Sequence, residues 1–235
     1  MMKKNINQKI ISIIEYYKMI NLDMIFGSDP ITRYKREKNI NFVSDKREKL
    51  NILKKKIENI KNCNLKKTAN KMVFSDGNIN SKIMLVGEGP GAQEDRMGLP
   101  FVGAAGKLLD KMLNAINLNR TKVYISNVVN YRPPNNRRPT DEEIEKYLPF
   151  LKLHIEIIEP KILILLGSTA MQAISGKEKI ISKARGKWFK IKIGGCEPEI
   201  IVTFHPAFLI RQPEQKKNSW YDLKLIREKI KFLKL

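Results

Sequence analysis

Cysteine and histidine are scarce in this chain, and long apolar runs are absent. Among 235 residues there are two cysteines, Cys63 and Cys196, and two histidines. Two cysteines can build neither a disulfide framework nor an all-cysteine metal site, so we expect a reducing, cytoplasmic setting. No run of about 18 apolar residues occurs, which argues against a membrane-spanning segment and against association with a membrane through one. Glu15 interrupts the apolar residues 10–14, so no signal peptide is predicted.

Acidic residues are also few relative to basic ones. The chain carries 45 Lys and Arg against 24 Asp and Glu, a formal net charge of +21. Such an excess favours nucleic acid or an anionic membrane surface as partner. Lys, Asn and Ile are abundant together, which AT-rich coding would also produce, so composition alone leaves both explanations open. The hydrophobic content of 42% is enough to bury a core, which excludes wholesale disorder.

Apolar periodicity predicts strands that alternate with helices. Buried strands are expected at residues 82–86, 123–125, 162–166, 187–193 and 199–204. Helices are expected near residues 5–20, 45–61, 140–158 and 219–234, among others. This alternation predicts an α/β fold, a three-layer α/β/α sandwich around a central, mostly parallel four-stranded sheet. Such sheets bind ligands at the carboxyl ends of their strands, so the loops there are the candidate functional loops.

The first of these loops, GEGPGAQED at residues 87–95, is rich in glycine. It does not match G-x-G-x-x-G, and its carboxylates would repel a phosphate, so nucleotide binding is disfavoured. Its glycines allow a close approach of the backbone to a flat or crowded group. An ordinary strand-to-helix turn remains the alternative interpretation.

Two further loops have unusual compositions. Residues 127–138, NVVNYRPPNNRR, combine amides, which offer a donor and an acceptor to a base edge, with arginines that suit phosphates. Residues 203–211, TFHPAFLIR, place a histidine at a strand end, followed by apolar residues and an arginine. An apolar wedge beside a cation is suited to entering a base stack. His154 lies in a predicted helix and is expected to be a surface or packing residue.

Taken together, GEGPGAQED, LPFVGAAGKLLD, VYISNVVNYRPPNNR and TFHPAFLIR closely resemble the family-four uracil-DNA glycosylases, in order and spacing, over about residues 50–235. The resemblance implies a DNA repair glycosylase that flips uracil out of DNA and hydrolyses the N-glycosidic bond, leaving an abasic site. Residues 46–235 would be the catalytic domain, and residues 1–45 an N-terminal helical extension. The implied partner is uracil-containing DNA, single- or double-stranded. The implied state is a monomer in the bacterial cytoplasm, held at the nucleoid through DNA.

The resemblance also assigns residues to the chemistry. Glu88 and Asn136 would position or activate water, and His205 would stabilise the departing base. Phe101 would stack on the uracil face, although it could instead be a core residue. Asn127 would hydrogen-bond the uracil edge, and Glu94 would exclude the methyl group of thymine. The backbone at Gly89 and Gly91 would approach the base closely. Contacts to the DNA backbone and the distorted duplex would come from Arg132, Arg137, Pro206, Leu209, Ile210 and Arg211.

One departure from the family concerns its four-iron cluster, which four cysteines hold. Aligned on the GEGPG loop, the four ligand positions are Ile60, Cys63, Tyr131 and Tyr147. A single thiolate cannot hold such a cluster, so we expect no metal site and no cofactor. Our hypothesis is that the three replacements fill the volume of the cluster and tie the same segments together by packing.

Two other functions are alternatives to an active glycosylase. The first is a non-catalytic DNA-binding or polymerase-associated module on the same fold, in which the lost cysteines mark functional drift. The intact candidate residues in the loops argue against it. The second is a relative that traps uracil covalently, which would need a histidine in the insert after the second strand. Residues 132–138 contain none.

Overall fold

The computed structural model describes residues 46–235. The predicted helix at residues 5–20 and the predicted extension, residues 1–45, lie outside this range. The described α-helices are α1 (Lys46–Glu58), α2 (Asn64–Thr68), α3 (Ala92–Met97), α4 (Ala104–Asn114), α5 (Asp141–Ile158), α6 (Ser168–Ser175), α7 (Ile181–Ala184), α8 (Pro206–Arg211) and α9 (Lys216–Phe232). The strands are β1 (Asp76–Gly77), β2 (Ile83–Gly87), β3 (Tyr124–Asn127), β4 (Ile162–Leu166), β5 (Trp188–Lys190) and β6 (Glu199–Thr203).

These strands form one sheet in the order β1-β3-β2-β4-β6-β5. The four central strands are parallel, as predicted, and the register places Gly87 of β2 opposite Asn127 of β3. The short edge strands β1 and β5 pair antiparallel, so the described sheet has six strands and not four. β1 has only two residues, which is too short to leave a periodic signal in the sequence.

Helices cover both faces of the sheet, and the alternation of side chains along each strand explains how. In β4, Leu163 and Leu165 belong to the core beneath α1, α2, α5 and α6, whereas Ile162 and Ile164 belong to the core beneath α4, α8 and α9. A strand buried on both faces reads as a continuous apolar run, which is why β4 was visible in the sequence. Within residues 46–235, no helix combines the length and hydropathy needed to cross a bilayer.

One of the two histidines is part of this core. His154 of α5 is 2% exposed, stacks on Phe74 with ring centroids 4.7 Å apart, and shares a 2.8 Å hydrogen bond between its Nε2 and the Tyr124 hydroxyl. Burial lowers the pKa of His154 to about 3, so the ring is neutral at physiological pH. The expectation of a packing role for His154 is confirmed.

Candidate active site

A cavity of about 450 Å³ opens at the carboxyl ends of the four parallel strands. Each of the loops predicted to matter reaches it. Glu88 follows β2, Asn127 ends β3, Gly167 follows β4, and His205 follows β6. Residues from the three motif loops therefore meet at one place, as expected for a parallel sheet.

Phe101 forms part of the cavity wall from a constrained backbone. Its φ angle is +55°, a left-handed value that is uncommon for a residue with a side chain. Arg120 holds this conformation by donating hydrogen bonds to the carbonyl oxygens of Pro100, at 3.1 Å, and of Phe101. Gly106 is required beneath it, because a Cβ there would lie 1.6 Å from the Phe101 oxygen. The Phe101 side chain is 5% exposed and contacts both the core and the cavity, so it is a core residue at the cavity wall, and its stacking on uracil remains a prediction.

Asn127 carries the clearest sign of a missing partner. The residue is 3% exposed, yet neither its amide nitrogen nor its amide oxygen has a hydrogen-bond partner. A buried polar atom without a partner costs about 1–3 kcal/mol, so two such atoms on one side chain indicate that a ligand pairs with them. Gly87 lies alongside, where a Cβ would come within 2.4 Å of the Asn127 oxygen and 2.5 Å of the Phe101 ring. The amide and the ring therefore converge over a glycine.

His205 faces the same space with a defined tautomer. It caps α8, and its Nδ1 accepts a 3.2 Å hydrogen bond from the backbone N–H of Ala207. A neutral ring must then carry its proton on Nε2, which makes that atom a donor. The ring is partly exposed to the cavity but enclosed by protein, and desolvation, reinforced by Arg211 and opposed by Glu94, lowers its pKa to about 4. The ring centroid lies 5.5 Å from that of Phe101.

Glu88 is partly buried, and a residue that the sequence did not single out holds its carboxylate. The hydroxyl of Thr169, on the first turn of α6, donates a hydrogen bond to Glu88 Oε2. The two residues are 81 positions apart in the chain, so no local motif links them. Glu88 is thus held at the cavity by a hydrogen bond between the loop that follows β2 and the first turn of α6.

Glu94 braces the wall of the cavity through backbone contacts. Its carboxylate accepts hydrogen bonds from the N–H groups of Gly91 at 3.1 Å, Val102 at 3.0 Å and Gly103 at 2.8 Å. These bonds tie the start of α3 to the loop that carries Phe101. The predicted exclusion of a thymine methyl by Glu94 remains a prediction, but the bracing role was not foreseen.

Two glycines of the first loop line the cavity and have no room for side chains. A Cβ on Gly89 would lie 2.7 Å from the Val129 side chain, and one on Gly91 would lie 2.8 Å from Glu94. The backbone is therefore close to the space where a ligand would sit. Their predicted contact with the substrate remains a prediction.

Asn136 lies at the cavity mouth and is held by an arginine. Its Oδ1 accepts a 2.8 Å hydrogen bond from Arg132 Nε, and the Arg132 guanidinium lies 4.0 Å from the buried carboxylate of Asp95. Asp95 in turn accepts bonds from the backbone and side chain of Asn70. Arg132 thus connects Asn136 to the interior, in addition to any phosphate contact predicted for it.

The predicted DNA contacts divide into accessible and inaccessible residues. Ile210 is 46% exposed, and the exposed Arg211 lines the cavity. Leu209 is 1% exposed within the core, and Pro206 is also buried, so neither side chain is available to a duplex in this conformation. The inner face of α8 packs on the sheet, which disfavours side-chain contacts of Leu209 and Pro206 with DNA, and these contacts remain predictions.

Arg137 is accessible but already has a partner. Both of its terminal nitrogens bond to the Glu143 carboxylate at 2.7 Å, next to the capping box that Thr140 and Glu143 form at the start of α5. This pair lowers the pKa of Glu143. A phosphate would have to compete with Glu143 for the guanidinium.

The four positions that the resemblance aligns with cluster ligands lie in one core, on the face of the sheet beneath α1 and α5. We call Ile60, Cys63, Tyr131 and Tyr147 the packed quartet. Cys63 and Tyr131 are each 6% exposed, Tyr147 is 1% exposed, and the partly buried Ile60 packs against the same core. The Cys63 sulfur and the Tyr147 hydroxyl lie 3.2 Å apart in a hydrogen bond. Burial, then this bond, raises the pKa of Tyr147.

These side chains do not fit an iron–sulfur cluster. Such a cluster needs four thiolates or comparable donors, and the packed quartet offers one thiol, two phenols and a hydrocarbon. Across residues 46–235, no group of three or more His, Cys, Asp or Glu side chains is placed to hold a metal ion. The quartet therefore has the composition of a core and not that of a ligand set.

Comparisons with known proteins give the family. A family model described as the uracil DNA glycosylase superfamily matches residues 74–228. A type-4 uracil-DNA glycosylase of Archaeoglobus fulgidus is 40% identical over 185 residues, which cover 77% of this chain and 93% of that protein. A type-4 uracil-DNA glycosylase of Thermotoga maritima is 42% identical over 168 residues, covering 70% of this chain and 84% of that protein.

A DNA polymerase of Bacillus phage SP01 is also similar, at 31% identity over 163 residues, which cover 69% of this chain and 17% of the polymerase. The similarity to the type-4 enzymes is higher and extends over most of both chains. The chain therefore belongs to the uracil-DNA glycosylase superfamily and, within it, to the type-4 family.

Proposed function

We propose that this protein is an active, monofunctional uracil-DNA glycosylase that removes uracil from DNA and leaves an abasic site. The observation that carries the proposal is the buried, unpaired amide of Asn127 beside the Phe101 ring and the Nε2 of His205. A flipped uracil supplies what this set lacks, since it has a flat face, a carbonyl acceptor and an N–H donor.

Recognition follows from the same groups. Uracil offers its N3–H to the Asn127 oxygen and its O4 to the Asn127 nitrogen, which satisfies both unpaired atoms. With the amide in that orientation, cytosine, which has an acceptor at N3 and a donor at C4, would leave both pairs mismatched, at a cost of a few kcal/mol. Phe101 stacks on the base, which is worth about 1–3 kcal/mol.

The reaction exchanges the bond between C1′ and N1 for a bond between C1′ and a water oxygen. As the first bond breaks, positive charge develops on the sugar and negative charge on the base. His205 donates its Nε2–H toward a uracil carbonyl, and a pKa of about 4 keeps the ring a neutral donor at physiological pH. Glu88 and Asn136 orient the water. As the water oxygen bonds to C1′, the water loses one proton and the departing uracil anion takes up one proton at N1, so the products are an abasic sugar and neutral uracil.

One assay tests the activity directly. Purified protein is incubated with oligonucleotides that contain one uracil, in single strands and opposite G or A, and the products are treated with alkali. We expect cleavage at the uracil position only after alkali. Glu88→Gln should lose product formation and largely keep DNA affinity, measured by fluorescence anisotropy. Tight binding by the wild-type protein without any abasic product would overturn the proposal.

That outcome would favour a second candidate, a non-catalytic DNA-binding or polymerase-associated module. The similarity to a phage protein named DNA polymerase is the observation in its favour. Its discriminating measurement is binding to DNA with and without uracil. The module predicts equal affinities, whereas the glycosylase predicts tighter binding of uracil-containing DNA by Glu88→Gln.

We infer that the enzyme works without an iron–sulfur cluster. The chemistry of the packed quartet supports this, because three of the four positions lack a thiol. Protein purified without oxygen should contain less than one tenth of an iron per chain and should not absorb in the visible range. Stoichiometric iron and a brown colour would contradict the inference.

The setting follows from the substrate and the composition. We infer a cytoplasmic monomer that associates with the nucleoid through its DNA substrate, and we infer that residues 1–45 form an appendage to the catalytic domain. The net charge of +21 supports a strong electrostatic component in DNA binding. Light scattering should give the mass of one chain, 27.2 kDa, and a dimer would contradict this part.

A further inference from the structure

Thr169 is the one side chain that contacts the Glu88 carboxylate among the residues that the structure describes. It is 1% exposed, and its hydroxyl donates to Oε2. Since that bond occupies one lone pair of one oxygen, it fixes the rotation of the carboxylate and leaves Oε1 for another partner. A carboxylate on a glycine-rich loop has several rotamers otherwise, so the contact selects one of them.

The position of Thr169 is itself well determined. It is the second residue of α6, directly beneath the left-handed Gly167, whose φ is +92°. A Cβ on Gly167 would lie 3.0 Å from the Cβ of His205, so the start of α6 is packed against the His205 loop. Ala170 and Met171 anchor the helix in the core with no exposed surface. Thr169 therefore donates its hydrogen bond to Glu88 from a helix that is anchored in the core.

The first turn of α6 also suits a negative charge electrostatically. Aligned peptide dipoles place partial positive charge at a helix N-terminus, which favours a carboxylate there. Hydrogen bonds from a hydroxyl to a charged acceptor are about twice as strong as bonds between neutral groups. Both effects hold the Glu88 carboxylate in place before any DNA arrives.

We propose that Thr169 is a positioning residue for uracil excision, whose hydroxyl orients the Glu88 carboxylate toward the water that attacks the sugar. The proposal rests on the proposed glycosylase function and extends it to a residue that does not touch the substrate. Thr169 acts on the chemical step through Glu88 and has no part in binding DNA.

The test replaces the hydroxyl by a methyl group of the same size. For Thr169→Val, we expect the single-turnover excision rate to fall about 10- to 100-fold, the range for a lost hydrogen bond to a charged group. The Kd for uracil-containing DNA should stay within about twofold, because no binding contact is removed. Thr169→Ser keeps the hydroxyl and should restore the rate to within about threefold of wild type.

Two controls separate positioning from general damage. Ser81→Ala removes another buried hydroxyl, at the opposite end of β2 from Glu88, where it bonds to the carbonyls of Ile83 and Lys122. It should lower the melting temperature and leave the excision rate of the folded protein unchanged. The second control is the thermal unfolding of Thr169→Val, whose midpoint should stay above the assay temperature, so that a lower rate does not reflect unfolded protein.

The outcomes are distinct. An unchanged rate in folded Thr169→Val, or a failure of Thr169→Ser to restore the rate, would each overturn the positioning role. An active wild-type protein with an unaffected Thr169→Val overturns this role alone. A wild-type protein that releases no uracil overturns the proposed function and this inference with it.

Discussion

The cavity and the packed quartet differ in whether their buried polar groups have hydrogen-bond partners. In the cavity, the Asn127 amide is buried with no partner. In the quartet, the Cys63 thiol and the Tyr147 hydroxyl satisfy one another, and hydrocarbon surrounds them. An unpaired buried amide is costly and persists where a ligand will pair with it, whereas a site with no ligand to receive is closed by packing. Polar pairing thus distinguishes the candidate binding cavity from the packed quartet.

The largest expected effect comes from emptying the quartet. Tyr147→Ala removes a fully buried ring and should lower the free energy of unfolding by about 3–5 kcal/mol, as for other large-to-small core changes. Tyr147→Phe removes only the bond to Cys63 and should cost about 1 kcal/mol. Urea unfolding measures both. Equal losses in the two variants would mean that the thiol–phenol bond, and not packing, holds this region.

The next effect lies in the cavity. His205→Ala should lower the single-turnover excision rate by about 10²–10³-fold, the loss seen when one preorganised donor to a developing anion is removed. DNA affinity should change little, since the donor acts mainly in the transition state. Undiminished uracil release would contradict the role given to His205. Tyr147→Phe, which lies outside the cavity, serves as the matched variant with normal excision.

Acid should weaken the fold through its buried histidines. The pKa of His154 is about 3 in the folded protein against 6.5 for an ordinary histidine. Because the unfolded chain takes up this proton first, the free energy of unfolding is unaffected by His154 above pH 6.5 and falls as the pH drops from 6.5 toward 3. The loss is about 2 kcal/mol at pH 5. His205, whose pKa is lowered to about 4, also lowers the free energy of unfolding as the pH falls from 6.5 toward 4. His154→Gln should flatten the difference in unfolding free energy between pH 7 and pH 5, and an unchanged slope would contradict the assignment.

The smallest effect concerns the Arg137–Glu143 pair at the rim of the cavity. Glu143→Gln removes the charge that competes with phosphate for the guanidinium, so DNA affinity should rise by no more than about threefold. The gain should shrink at higher salt because exposed charges are screened. Anisotropy titrations at two salt concentrations measure it. A gain that persists in a Glu143→Gln, Arg137→Gln double variant would show that Arg137 is not the residue released.

Much of the cavity was visible in the sequence because strands buried on both faces are continuous apolar runs. Each run ends where a parallel sheet places its ligands, so the motif loops could be brought together without coordinates. The replaced cysteine positions were visible in the same way, since their distance to the first glycine loop is fixed. The six-stranded sheet was not, because edge strands as short as β1 carry no period.

The residues whose contacts the sequence left undetermined share a physical cause. Leu209 belongs to a six-residue helix, where an apolar side chain serves equally well as a wedge or as core, and only the packing of α8 decides. Thr169 and Asp95 act through partners from distant parts of the chain, at separations of 81 and 25 residues. Hydrogen bonds between loops depend on the assembled sheet and leave no trace in local composition.

The left-handed backbone of Phe101 has a kinetic consequence. Arg120 and the close approach of Gly106 fix the backbone that carries this ring when the chain folds, so that backbone geometry does not depend on the arrival of DNA. A surface formed in advance receives the released base as readily as the flipped nucleotide. Free uracil should therefore compete with substrate, and successive turnovers should slow as the product accumulates.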